Sequence, residues 1–126
     1  MFQDTRAYSS FSVNSLAEAK AFYGDLLGLA VSEHEDELNL NIAGGTQILL
    51  YLKPNHTPAT FTILNFPVTQ IERVVDQLSV RGVRFEQYAG DFQTDEQGIF
   101  RSPGLKQAWF KDPAGNILSL HEAVET

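Results

Sequence analysis

Cysteine is missing from this chain of 126 residues. That excludes a disulfide framework, a thiolate metal site, a cysteine nucleophile and a thiol redox switch. Long apolar runs are missing too. The longest, Ile48 to Leu52, falls far short of the ~20 residues that span a bilayer. Met1-Phe2-Gln3-Asp4-Thr5-Arg6 has neither the charged start nor the apolar stretch of a secretory leader, so a cytoplasmic protein with no membrane partner is expected. Positive charge is scarce. Nine Lys and Arg stand against sixteen Asp and Glu, giving a net charge of −7, and no basic cluster relieves it. An acidic surface repels phosphate backbones, which argues against nucleic acid as a partner. With 43 % hydrophobic and 20 % charged residues the composition is that of a folded protein rather than a disordered one. The length suits one domain, and a chain of this size buries enough surface to fold without a metal or disulfide.

What is present falls into two runs of the same plan. Between Tyr8 and Val13 polarity alternates: Phe11 and Val13 point one way, Tyr8, Ser10 and Ser12 the other, as in a half-buried strand. A helix is predicted next, opened by the capping-box pair Ser15 and Glu18 and carried by Leu16, Ala19, Phe22, Tyr23, Leu26 and Leu27 at helical spacing. Gly28 is placed to end it in a left-handed conformation. Leu38, Leu40 and Ile42 then alternate, Gly44-Gly45 makes a turn, and Gln47 to Leu52 forms another strand.

The second run repeats the first. Phe61 to Val68 is strand-like. Thr69 with Glu72 offers a capping box, although Gln70 could instead be the helix start, and Ile71, Val74, Val75 and Leu78 form an apolar stripe that Gly82 closes. Val83 to Tyr88 reads as a strand, and Ala108 to Lys111, the turn Asp112-Pro113-Ala114-Gly115 and Asn116 to His121 as a hairpin. Gly28 and Gly82 are 54 positions apart and Leu16 and Ile71 are 55 apart, so two independent landmarks share nearly one offset, the mark of a duplication. Each unit has a helix to cover one sheet face, leaving the other to line a cavity. The polar, glycine-containing stretch Ala89 to Lys106 is long for a connection and reads either as a binding loop or as an adaptable surface loop.

Three segments carry a family likeness. Leu16 to Leu29 contains Ala-Phe-Tyr and Leu-Gly-Leu. Val80-Arg81-Gly82-Val83-Arg84-Phe85 ends the second helix. Ala108-Trp109-Phe110-Lys111-Asp112-Pro113-Ala114-Gly115-Asn116-Ile117-Leu118-Ser119-Leu120 holds an Asp-Pro-x-Gly-Asn turn. In order and spacing the chain resembles the glyoxalase/bleomycin resistance protein/dioxygenase (vicinal oxygen chelate) superfamily. The resemblance implies an α+β fold. Two βαβββ modules form a curved mixed sheet around a central cavity, with helices on the outer face. One domain would span 1–126, with module one at about 1–57 and module two at about 58–126. It also implies a homodimer.

In the family's metalloenzymes His, Gln or Glu side chains from the first and last strands of each module hold a divalent ion that activates vicinal oxygens. Here Tyr8 stands seven residues before Ser15, Ile63 takes the matching place in module two, Ser119 stands three residues after Asn116, and the fourth position falls on Leu49 or Leu50. None supplies an imidazole or carboxylate, so no metal and no cofactor are expected. The inward set by strand parity is Tyr8, Ser10, Ser12, Gln47, Leu49, Tyr51, Ile63, Asn65, Ile117, Ser119 and His121. This mixture of rings, aliphatic surface, hydroxyls and amides suits a small, neutral, partly apolar ligand; filling the space as a second core is the other reading.

His121 could act as a general base, or be a surface residue at a strand end. His34, within Glu33-His34-Glu35-Asp36-Glu37, reads as part of a solvated loop, and His56 as an exposed residue of the linker. No phosphate loop or Gly-x-Ser-x-Gly elbow exists, and the spacing supports no Ser/His/Asp constellation. The leading expectation is a metal-independent small-molecule-binding protein. The alternatives are a lyase, isomerase or dioxygenase with a remodelled site using His121, Tyr8 or Tyr51, and a non-catalytic partner-binding module.

Overall fold

The computed structural model describes residues 1–124, and the chain divides into two compact units, Met1–Pro58 and Ala59–Thr126. In the first unit β1 (Ser9–Val13) is followed by α1 (Leu16–Lys20), a π-helical turn (Ala21–Leu26), β2 (Ala30–His34), β3 (Glu37–Ile42) and β4 (Thr46–Leu52). The strands form one sheet in the order β1-β4-β3-β2, with β1 parallel to β4 and the other neighbours antiparallel. In the second unit β5 (Thr62–Pro67) leads to α2 (Ile71–Val80), then β6 (Ile99–Ser102), β7 (Leu105–Lys111) and β8 (Ile117–Ala123). Its sheet runs β5-β8-β7-β6, again with one parallel pair, β5 and β8, and antiparallel neighbours beyond it. Both units are therefore βαβββ modules with the same strand order.

Local chemistry accounts for most boundaries. Ser15 sits extended at the start of α1, and its hydroxyl accepts a hydrogen bond from the Glu18 amide at 3.2 Å, half of the expected capping box. The predicted single helix changes gauge at Ala21. The wider π turn accompanies burial of the consecutive rings of Phe22 and Tyr23, which meet edge to face with centroids 5.0 Å apart. Gly28 follows at φ +78, a conformation that L side chains rarely adopt. The acidic run expected to be a loop instead straddles the end of β2, a two-residue turn and the start of β3. Its residues are exposed, and Lys20 pairs with Glu33 at 2.8 Å.

The apolar faces follow the alternation in the sequence. Val13, Leu38, Leu40, Ile48 and Leu50 are buried on the α1 side with Ala19 and Tyr23. Ala108, Phe110, Leu118, Leu120 and Ile99 are buried on the α2 side with Ile71 and Val75.

One strand expected in the second unit is absent, and the choice between two helix starts is decided. Val83–Tyr88 is not a strand: the segment makes one bridge, Phe85 to Phe110, plus a hydrogen bond from the Glu86 amide to the Trp109 carbonyl, and then leaves β7. Its hydrogen bonds go elsewhere, the Tyr88 amide to Thr94 Oγ1 at 2.9 Å and the Thr94 amide to the Tyr88 carbonyl at 3.0 Å. The edge strand β6 comes instead from within the stretch read as connection. α2 begins after Gln70, which has φ +55 and no side-chain cap, rather than with the Thr69 and Glu72 box. The free amides of Gln70 and Ile71 are taken by the Glu122 carboxylate at 2.8 and 3.0 Å, and Glu72 turns instead to Lys106 and Arg101.

Candidate functional site

Each sheet has a second face, opposite its helix. In the first unit register places Ser10, Leu49, Asn39 and Ser32 in one row across β1, β4, β3 and β2, and Ser12, Tyr51, Glu37 and His34 in the next. Asn41 and Gln47 pair beside them, the Gln47 amide donating to Asn41 Oδ1 at 2.9 Å while the Asn41 amide donates to the Ala30 carbonyl and Ser32 Oγ at 3.1 Å. An open cavity of about 970 Å³ lies against this face. Tyr8, Gln47 and Leu49 line it together with Asn39, and Arg6 and Glu37 bring charges of opposite sign. Ser10 and Tyr51 stand exposed on the same face. The sequence reading missed the β3 contribution, although the alternation of Leu38, Leu40 and Ile42 already put Glu37, Asn39 and Asn41 on the opposite side.

Ser12 is half-buried, and its Oγ lies 2.6 Å from His56 Nδ1. His56, expected to be exposed, is half-buried here, because the turn after β4 folds it back onto β1. The Lys53 amide bonds the Val13 carbonyl and the His56 amide bonds the Lys53 carbonyl, each at 3.0 Å.

In the second unit Asn65, Ser119 and Trp109 form one cross-strand row and Pro67, His121 and Gln107 the next. Ser119 is fully buried and donates to Asn65 Oδ1 at 2.5 Å. His121 is half-buried, and its carbonyl accepts from the Val68 amide at 2.8 Å. Register shifts between Thr62 and Leu64, so Ile63 is the extra residue of a bulge and Thr62 is the partner of Ile117.

A cavity of about 490 Å³ lies here, walled by Phe61, Tyr88, Phe92, Trp109 and Ile117, with Thr60, Thr62 and Gln87 as its polar members. Trp109 is buried and meets Tyr88 with centroids 5.2 Å apart, edge to face; Phe92 meets Phe100 at 5.4 Å and Trp109 at 6.3 Å. Burial raises the Tyr88 hydroxyl above its ordinary pKa, with Glu86 adding to the effect, so it is protonated at neutral pH. No Asp, Glu, Lys, Arg or His is among the lining residues. Of this wall the sequence reading had only Ile117. Phe61 and Tyr88 stand at the ends of segments read as strands, Phe92 comes from a stretch without periodicity, and Ala108-Trp109-Phe110 is apolar on both faces. The one signal was the long stretch from Ala89, which contributes Phe92.

The positions that would carry a metal do not fit one. Tyr8 is 67 % exposed, Ile63 and Leu49 have no donor atom, and the Ser119 hydroxyl is engaged with Asn65. Among the described residues no three His, Asp or Glu side chains are grouped to hold an ion, and no helix is long and apolar enough to cross a membrane.

The model of the Glyoxalase/Bleomycin resistance protein/Dioxygenase superfamily matches residues 7–120. No curated protein matches the chain. Among solved structures, a glyoxalase family protein from Enterococcus faecalis shares 24 % identity at a TM-score of 0.68, covering 97 % of this chain and 100 % of its own. TnmS3, an antibiotic binding protein from Streptomyces sp. CB03234, shares 21 % at 0.68, covering 97 % and 99 %. The genomically encoded fosfomycin resistance protein FosX from Listeria monocytogenes shares 15 % at 0.72, covering 96 % and 92 %. At these identities the likeness is one of fold.

Proposed function

The chain belongs to the Glyoxalase/Bleomycin resistance protein/Dioxygenase superfamily, and on that footing we propose that it is a metal-independent small-molecule-binding protein. One observation carries the reading: the cavity walled by Phe61, Tyr88, Phe92 and Trp109, of ligand size and without an ionised group at neutral pH. A ring-bearing neutral molecule entering it replaces water on four aromatic faces and needs no counter-charge. Thr60, Thr62 and Gln87 supply the few polar contacts that fix orientation. The lack of imidazole and carboxylate at the family's ligand positions supports binding without a metal. On the sheet face of the second unit Asn65 and His121 are further polar candidates, with Ser119 holding Asn65 in place; Tyr8, Ser10, Gln47 and Tyr51 form a candidate binding surface of the first unit by itself. An antibiotic binding protein among the structural relatives supports a small-molecule-binding role.

Trp109 is the only tryptophan, so its fluorescence reports the cavity directly. Titration with a panel of neutral aromatic and heteroaromatic compounds is expected to give saturable quenching for some members. Phe92→Ala, at a ring that is 58 % exposed, should weaken those affinities about tenfold while leaving the melting temperature nearly unchanged. Saturable binding that Phe61→Ala and Phe92→Ala both leave intact would place the ligand elsewhere, and a panel with no binder would overturn the proposal.

A further inference from the structure

Ser12 and His56 are 44 positions apart and meet through one turn of chain. Ser12 is on the face of β1 opposite α1, one residue before buried Val13. The turn from Lys53 to His56 is tied at both ends, to the Val13 carbonyl and within itself, so the imidazole is brought back over the strand that carries the serine. The resulting Oγ to Nδ1 distance of 2.6 Å lies within the reach that a nucleophile and its base require. Both residues are half-buried, which leaves them accessible. Tyr51, directly across the strand pair and 38 % exposed, stands on the same face beside Ser12.

We propose that Ser12 and His56 form a nucleophile and general-base pair that accepts acyl groups from small carboxylic esters with good leaving groups. An imidazole carrying its proton on Nε2 accepts at Nδ1. Ser12 Oγ forms a bond to the ester carbonyl carbon as its proton moves to His56 Nδ1. The bond from that carbon to the alcohol oxygen then breaks, and the proton passes from Nδ1 to the departing oxygen. Water, deprotonated by the same nitrogen, attacks the serine ester and releases a carboxylic acid and free Ser12. One ester and one water give one acid and one alcohol, with no oxidant or metal required. Tyr51 offers its ring as the surface on which the acyl part rests. The pair belongs to the first unit and the aromatic cavity to the second, and the reaction makes no use of the cavity.

The test is covalent labelling with a fluorophosphonate, read by mass spectrometry of the intact protein and its peptides, beside release of nitrophenol from p-nitrophenyl acetate. One label per chain on the Ser12 peptide is expected, absent in Ser12→Ala and slowed at least about tenfold in His56→Ala. Melting temperatures of both variants show whether the fold survives. His56→Gln, which keeps a hydrogen-bonding side chain without a base, separates chemistry from support of the turn: the reading requires it to label as slowly as His56→Ala. Labelling no faster at Ser12 than at exposed Ser10, or a rate that both His56 variants leave unchanged, would overturn the assignment.

Discussion

Asp112 shows how a family signature can be structural. Its side chain is buried; Oδ1 accepts from the amides of Ala114 at 3.0 Å and Asn116 at 2.8 Å, and Oδ2 from the Asn116 side chain at 3.0 Å. The Asp-Pro-x-Gly-Asn turn thus folds its own carboxylate inward and sets the register in which β8 returns along β7. Asp112→Ala leaves buried donors unmatched and should cost about 3 kcal/mol, read as a lower urea midpoint at unchanged slope. Two glycines give a paired comparison. Gly28 has φ +78 with open space where a side chain would stand, so Gly28→Ala should cost about 1 kcal/mol of backbone strain alone. At Gly98, φ is +89 and an added Cβ would lie 2.7 Å from Phe85 Cβ, in a segment whose ring packs on Phe110. Gly98→Ala should cost about 3 kcal/mol or more. Equal losses in the two variants, measured by urea unfolding, would remove the steric argument. Gly28 was legible as a helix terminator, whereas the role of Gly98 depends on a neighbour thirteen positions away that no local pattern names.

At the scale of elements, α2 shows where local capping rules give way to tertiary contacts. Its first amides are bound by Glu122 from the end of β8. The amides of Ile71 and then Gln70 hold the Glu122 carboxyl below its usual range. A hydrogen bond from Lys106 does the same, as the largest cause, for Glu72. Burial works against Asp95, yet the Ile99 amide and Arg101 outweigh it and lower its pKa too. Carboxylates with depressed folded pKa values bind protons more readily in the unfolded chain. Their stabilisation is therefore present above the ordinary carboxylate range and is lost as pH falls through the folded values. The melting temperature should drop as pH is taken from about 5 to 3. Glu122→Gln should lower it at neutral pH and give a shallower decline in acid, as calorimetry would show; an unchanged pH profile would mean that the cap contributes nothing. β1, β3 to β5, β7, β8 and the two helices were readable from periodicity, whereas β2, which runs into a polar stretch read as a loop, was not. Val83–Tyr88 and β6 were not, because β propensity does not say which of two neighbouring segments finds an unpaired edge.

For the whole molecule, duplication was visible as two helices and two terminating glycines at nearly one offset, and both modules share one strand order. The homodimer remains an expectation of the family resemblance. Light scattering should give twice the 14.0 kDa chain mass, and a value at the chain mass would refute it. Metal independence is tested at the same scale. After incubation with Zn²⁺, Ni²⁺, Mn²⁺ and Fe²⁺ and desalting, mass spectrometry should find no stoichiometric metal. Retention abolished by His121→Ala would instead favour the remodelled enzyme.

Sequence alone determined the lack of cysteine chemistry, the repeated strand-and-helix plan and the buried face of each sheet, and, read through the family resemblance, the non-ligands at the metal positions. These are carried by residue type and by periods of 2 and 3.6, which act within a few neighbours along the chain. Tertiary structure alone decided what meets on the opposite faces. Phe61, Tyr88 and Phe92 reach Trp109 from three separate segments, Ser12 meets His56 through a turn, and Glu122 caps a helix begun 51 residues earlier. Such contacts depend on register and loop path, which are fixed by packing of the folded chain rather than by any local pattern.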